Sequence, residues 1–170
     1  MQQYSTDQAE KVAQEHFERL LRAGTWRKIS GLISRRGDSM QPFAPVHKCL
    51  HSQREEALGY QTVALDAIVG SAGREQDFDR LFIPRHPGMK GRWVRVAAAR
   101  QAHVELPPVL LYRVGDHYFV QDGNHRVSVA RALGETTIRA VVIDIDLKRE
   151  VRDSRCGCWK PEADEAQKRR

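Results

Sequence analysis

The chain has 170 residues, with 28 Lys and Arg against 22 Asp and Glu, so its net charge is +6. Hydrophobic residues make up 41% and charged residues 29%, which is typical of a soluble globular domain with an ordinary core. No stretch approaches the roughly 20 apolar residues of a membrane span, and the polar N-terminus lacks a signal peptide's apolar segment. We therefore expect a cytoplasmic protein with no membrane partner.

The N-terminal segment predicts two helices. Asp7 and Glu10 begin a helical stripe of apolar positions that ends at Gly24, and Thr25 is placed to cap a second helix that reaches Ile33. Two such helices form an α-hairpin that packs on the domain or on a second copy of it. A homodimer through this N-terminal helical hairpin is therefore the expected assembly.

Three regions are predicted along the chain: 1–58 as the hairpin and a linker, 59–147 as the main domain, and 148–170 as a charged tail. The main domain alternates strand-like and helix-like segments, which favours an α/β (α+β) fold. We predict a strand at 62–65, a short turn of helix at 68–70, and further strands at 109–112, 117–121 and 138–143. Helices are predicted at 92–102 and from residue 126 to a stop at Gly134.

A polar turn, Asp122-Gly123-Asn124-His125-Arg126, joins a predicted strand to a predicted helix. A helix N-terminus offers unpaired backbone N–H groups and a partial positive charge, so this turn predicts a phosphate site that includes His125 and Arg126. The alternative is that Arg126 pairs with Asp122 and that His125 caps the helix.

The other members of this turn have two interpretations each. Asp122 is a candidate Mg²⁺ ligand or general base, or a brace for the loop. Gly123 more simply allows an unusual φ or a close approach of the backbone. Ser128, in the first helical turn, either reaches a phosphate or bonds back to the backbone.

A second polar segment begins at Gly73-Arg74. Glycine lets the backbone pass close to a ligand while the Arg74 guanidinium pairs with a phosphate, although a solvated turn explains the pair as well. Glu75 and Asp77 are candidates for a general base or a Mg²⁺ ligand, or else form an acidic helix start.

The zinc-type residues of the chain fall into two distant groups. His47, Cys49 and His51 alternate, and Cys156 and Cys158 follow much later. None of these spacings is the C-x-x-C of common zinc sites, so ordinary surface or core residues are the favoured interpretation.

The order of parts from about Thr62 to Asp144 resembles the ParB N-terminal and sulfiredoxin superfamily. The resemblance is carried by Gly73-Arg74, by the strand Leu106-Pro107-Pro108-Val109, and by Asp122-Gly123-Asn124-His125-Arg126. It implies a small domain with a mixed sheet, whose two polar loops face one nucleotide, ATP or CTP, with Mg²⁺.

The resemblance also separates the activities of that superfamily. Sulfiredoxins carry their catalytic Cys where this chain has Asn124, so reductase chemistry of that type is not expected. The turn is most similar to the Asp-Gly-His-His-Arg of free-serine kinases, which implies phosphotransfer or nucleotide hydrolysis. In that hypothesis Glu75 or Asp122 is the base, and Gly73, Arg74, Gly123, Asn124, His125, Arg126 and Ser128 bind the nucleotide, with Asp77 and Asp122 on the metal.

The alternative hypothesis is a non-catalytic module that associates with DNA or with a protein partner. The net positive charge and the basic tail Lys168-Arg169-Arg170 favour it. A steep loss of DNA affinity with salt, together with no nucleotide turnover, would support this alternative over an enzyme.

Overall fold

The computed structural model describes residues 2–34, 40–43 and 55–145, with side chains described at 7–24, 40, 43 and 55–145. Short 3-10 turns lie at Leu65–Ala67 and Pro87–Met89. The helices are α1 (Gln2–Ser34), α2 (Lys90–Gln101) and α3 (Asn124–Ala132), and the strands are β1 (Gln41–Pro42), β2 (Glu55–Ala64), β3 (Ile68–Ser71), β4 (Val109–Val114), β5 (His117–Asp122) and β6 (Thr137–Ile145).

The predicted N-terminal hairpin is wrong, because α1 is one continuous helix through Gly24 and Thr25. A glycine inside a helix costs only about 1 kcal/mol relative to alanine, so it need not end one. Gly24 instead permits close packing, since a Cβ at this position would lie 3.2 Å from Cγ2 of Ile83. The homodimer was predicted to form through this hairpin, so its proposed interface is absent from the described helix. Dimerisation itself stays a prediction.

The strands form one mixed sheet in the order β1-β3-β5-β4-β6-β2. β4 and β5 form the predicted antiparallel hairpin, and β2 pairs antiparallel with β6. The pairs β1–β3, β3–β5 and β4–β6 are parallel. The predicted α+β class with a mixed sheet is confirmed.

Several element boundaries differ from those predicted. Ile68–Ser71 is a complete strand, whereas the sequence indicated the beginning of a helical turn there. β2 begins at Glu55, inside the segment interpreted as a linker, because its long pairing with β6 extends to Ile145.

Helix α3 lies between the sheet and the other helices. Its Val127 and Ala130 belong to the apolar cluster of the sheet, while its Val129 packs in a second cluster with Phe17 of α1 and Trp93 of α2. All five side chains are almost completely buried. Burial on two sides fixes both the depth and the rotation of α3, and therefore the position of its N-terminus.

Some predictions fall on residues outside the described ranges. They are the zinc-type residues His47, Cys49, His51, Cys156 and Cys158 and the charged tail 148–170. Among the described residues, no helix is both long and apolar enough to cross a membrane.

Candidate functional site

A cleft of about 530 Å³ opens where β3 and β5 end. These two strands are parallel neighbours, with Ser71 opposite Val120, so their carboxyl ends lie at the same edge of the sheet. Polar loops that follow such strand ends meet there, which is where α/β sheets commonly bind ligands. The lining comprises Ala72, Gly73, Arg74, Asp77, Phe78, Arg92, Val96, Leu106, Pro107, Gln121, Asp122, Gly123, Asn124, His125 and Arg126.

The N-terminus of α3 forms one wall of this cleft. Gly123 caps the helix with φ +101° and no side-chain cap, and the first backbone bond within the helix runs from the N–H of Val127 to the carbonyl of Gly123. The N–H groups of residues 124–126 precede that bond and carry the positive end of the helix dipole. This wall therefore has the properties of an anion site.

Gly123 is required for a steric reason as well as for its φ. A Cβ there would lie 2.6 Å from Cγ1 of Val109 and 2.9 Å from Nε of Arg126. The sequence interpretation of Gly123 as a conformational residue agrees with this geometry.

Arg126 is held by its own protein. Its Nη1 donates to the carbonyls of Pro107 at 2.6 Å and Pro108 at 3.0 Å, and its Nη2 pairs with Asp122 at 2.5 Å. Only 14% of its side chain is exposed. The alternative interpretation, an arginine that braces the turn, describes this geometry, and Arg126 borders the cleft mainly as a structural residue.

His125 lines the cleft in its neutral form. Burial, which is the largest cause, and the positive charges of Arg92 and Arg74 together lower its pKa from 6.5 to about 4, while Asp77 acts in the opposite direction. Its ring packs edge-on against Phe78, with 5.4 Å between the ring centroids. At neutral pH this imidazole therefore carries one N–H and no charge.

Two polar atoms at the start of α3 are buried without a hydrogen-bond partner in the described part of the chain, Oδ1 of Asn124 and Nδ1 of His125. Asn124 is only 8% exposed. Most buried polar groups in proteins have a hydrogen-bond partner. Two such atoms without a partner at a helix N-terminus therefore indicate a place where a ligand or water completes the hydrogen bonding.

The second loop contributes Gly73, Arg74 and Asp77 to the cleft. Gly73 has φ +89°, and its N–H donates to Oε1 of Glu75 at 3.1 Å. Arg74 pairs with Asp77 at 2.8 Å, and its side chain is 58% exposed. Glu75 does not line the cleft, so the structure leaves Asp77 and Asp122 as the carboxylates there.

Ser128 lies away from the cleft. It is 2% exposed, and its Oγ accepts a hydrogen bond from Nε1 of the buried Trp93 at 2.9 Å. Its role in the structure is to join α3 to α2.

Arg92 is a cleft residue that no motif in the sequence indicated. It stands in the first turn of α2, lines the cleft and lowers the pKa of His125 through its positive charge. Arg92 makes no ion pair with any described side chain. The only signal in the sequence was a basic first turn, where the helix dipole disfavours positive charge.

The metal prediction has a limited fit. No group of three or more His, Cys, Asp or Glu side chains capable of holding a metal occurs among the described residues. Mg²⁺ is often held by one or two carboxylates together with substrate phosphates, and Asp77 and Asp122 offer that number. Both carboxylates are paired with arginines, so a metal would have to displace an ion pair.

Comparison with known proteins adds little. No family model and no curated protein matches the chain. The crystal structure of sulfiredoxin from Arabidopsis thaliana is similar over 49% of this chain and 82% of that one, at 18% identity and a TM-score of 0.38. A structural similarity with so low a TM-score says nothing about function, so the proposed function depends on the residues of the cleft.

Proposed function

We propose that the cleft binds the phosphate groups of a nucleoside triphosphate. The observation that carries this proposal is the position of Arg92, a cation without an ion pair among the described residues, in the same cleft as the N-terminus of α3. Backbone N–H groups at a helix N-terminus and an arginine fork are both donors that proteins use to bind phosphate.

The remaining cleft residues support binding of an anion. The lining carries three arginines against two aspartates, and His125 is uncharged at neutral pH. Arg74 is mostly exposed and can exchange Asp77 for a phosphate. The unpaired atom of Asn124 is its amide oxygen, which accepts hydrogen bonds and would bond a donor group of the ligand or a water rather than a phosphate oxygen.

Phosphotransfer or hydrolysis is the reaction that we propose for the bound nucleotide. Phosphoryl transfer depends mainly on positioning and on neutralising charge, and Arg74 and Arg92 provide both. Asp122 is the proposed base because it lines the cleft and its side chain is 63% exposed, whereas Glu75 lies outside. Mg²⁺ bound with the nucleotide by Asp77 or Asp122 would neutralise further phosphate charge.

Calorimetric titration with ATP and CTP, each with Mg²⁺, tests the binding step. Replacing Arg92 with alanine removes charge-assisted hydrogen bonds of about 1.5–3 kcal/mol, so affinity should fall by at least about tenfold. Arg95→Ala is the matched control, since Arg95 is an exposed arginine of the same helix that bonds only to the backbone carbonyl of Gly91. Equal affinity of the two variants would contradict the proposal.

Phosphate release tests the reaction separately. Asp122→Asn should bind nucleotide and lose turnover, while Glu75→Gln should retain both. If the wild-type protein binds nucleotide without turnover, the reaction is refuted and the binding proposal stands. Salt-dependent binding of duplex DNA with no nucleotide binding would instead support the DNA-associated alternative.

A further inference from the structure

A second cavity of about 550 Å³ lies beside the phosphate cleft. The two cavities share four lining residues, Val96, Leu106, Pro107 and Arg126. The hydrogen bonds from Arg126 to the carbonyls of Pro107 and Pro108 hold this common wall in place. Because the two cavities border each other at these residues, the second cavity is the space next to any ligand whose phosphates lie in the cleft.

The charges around the second cavity are neutralised within the protein. Arg100 makes two hydrogen bonds to Glu135, at 2.8 and 2.5 Å, and Arg139 pairs with Glu105 at 2.5 Å. The fifth charged residue of the lining is Arg126, which is held by Asp122 and the proline carbonyls. The cavity therefore lacks the unpaired cation that distinguishes the first cleft, and it does not favour a second phosphate.

The rest of the lining combines apolar surface with hydroxyl groups. Apolar side chains offer contact to a flat or apolar group, while threonine hydroxyls donate and accept hydrogen bonds at its edges. The apolar members are Val96, Leu106, Val109, Val129 and Ile138, and the hydroxyls belong to Thr62, Thr136 and Thr137.

We propose that this second cavity holds the nucleoside of the ligand whose phosphates lie in the first cleft. The inference rests on the proposed function and extends it, because it assigns the organic part of the ligand to a distinct set of residues on β2, β4 and β6. A nucleoside is uncharged, has apolar faces and carries hydrogen-bonding edges, which are the three properties that this lining accommodates.

The test compares ATP and CTP with inorganic tripolyphosphate, which carries phosphates and no nucleoside. We expect at least one nucleotide to bind about tenfold or more tightly than tripolyphosphate, since contacts in the second cavity add about 1.4 kcal/mol for each factor of ten. In Thr137→Trp, which fills the second cavity, that advantage should disappear while tripolyphosphate affinity stays unchanged.

Two further variants keep the result interpretable. Val12→Trp places the same side chain at an exposed position of α1 and should bind every ligand as the wild type does. Thr62→Val removes one hydroxyl with little change of volume, and should weaken the preferred nucleotide without affecting tripolyphosphate if Thr137→Trp fails to fold.

Each outcome has a distinct meaning. Absence of tripolyphosphate and nucleotide binding would overturn the proposed function as well as this inference. Tripolyphosphate binding as tight as that of both nucleotides, or a nucleotide advantage that survives Thr137→Trp and Thr62→Val, would overturn the assignment of the second cavity while leaving the phosphate cleft in place.

Discussion

The two ends of the β4–β5 hairpin each have an arginine–aspartate pair, and they differ in whether the polar groups there have hydrogen-bond partners. At the end with the Gly115-Asp116 turn, Arg113 makes two hydrogen bonds to Asp144, at 2.7 and 3.0 Å. At the other end, Arg126 pairs with Asp122, but Asn124 and His125 keep buried atoms without partners in the described chain.

In its described part, the chain therefore tolerates incomplete hydrogen bonding at one end of the hairpin and not at the other. An unsatisfied buried group costs about 1–3 kcal/mol, so stability alone would remove it. The cleft end retains two such groups beside a cation without an ion pair among described residues, whereas at the turn end Arg113 and Asp144 pair with each other. We interpret the cost at the cleft as the consequence of a surface arranged for a ligand.

The largest expected effect is on the cleft end of the hairpin. Gly123→Ala should reduce the free energy of unfolding by about 3 kcal/mol, because alanine would have to adopt a left-handed φ and its Cβ would overlap Val109. Gly115→Ala is the control at the other end, where φ is +60° and no atom lies within 4 Å, so a loss of about 1 kcal/mol is expected. Urea unfolding measures both, and equal losses would show that the contact with Val109 is unimportant.

The next effect concerns Ser128, which was predicted from sequence to bind phosphate. Ser128→Ala should lower stability by about 1–3 kcal/mol by leaving the buried Trp93 N–H unpaired, with no change in nucleotide affinity. Ser71→Ala, at another buried serine, should cost less, because the Val120 carbonyl that its hydroxyl bonds also accepts the N–H of Ala72. A loss of nucleotide affinity without loss of stability would restore the phosphate role of Ser128.

The ion pairs of the two ends should differ by less. Asp144→Asn should lose about 1 kcal/mol of stability, and Asp122→Asn about 0.5 kcal/mol because its carboxylate is 63% exposed. The hydrogen bond from Arg113 holds the pKa of Asp144 below 3.8, so its contribution is present above that pH and is lost as the pH falls further. Unfolding measured at pH 7 and pH 3 would reveal this, and an equal effect of Asp144→Asn at both would refute it.

The smallest effect is a shift in the titration of His125. The pKa of His125 in the folded protein is about 4, below the unfolded value of 6.5, so the unfolded chain binds the proton first as the pH falls. The contribution of His125 to stability is therefore lost between about pH 6.5 and about pH 4. Arg92→Ala should raise this pKa by roughly a few tenths of a unit, while Arg95→Ala should not. NMR titration of the imidazole C–H signals measures the shift, and an unchanged value in Arg92→Ala would place the guanidinium too far away to matter.

The local elements of the main domain could be predicted from the amino-acid sequence. Runs of apolar residues located the hairpin strands and β6, and Gly115 and Gly134, both with positive φ, mark the turn and the end of α3. The strand-to-helix junction at Asp122–Arg126 was readable because turn residues and a helical stripe adjoin in sequence. These signals are local, so neighbours along the chain suffice to express them.

Only the tertiary structure decided which side chains meet. Gly24 was predicted to end a helix and instead allows α1 to pack against Ile83, a contact between residues distant in sequence. Ser128 accepts a hydrogen bond from Trp93, and Arg126 donates to the carbonyls of Pro107 and Pro108. Arg92 lines the cleft from a different helix. Burial of α3 on two sides sets its rotation, and that rotation, which no local pattern encodes, selects the residues that face the ligand.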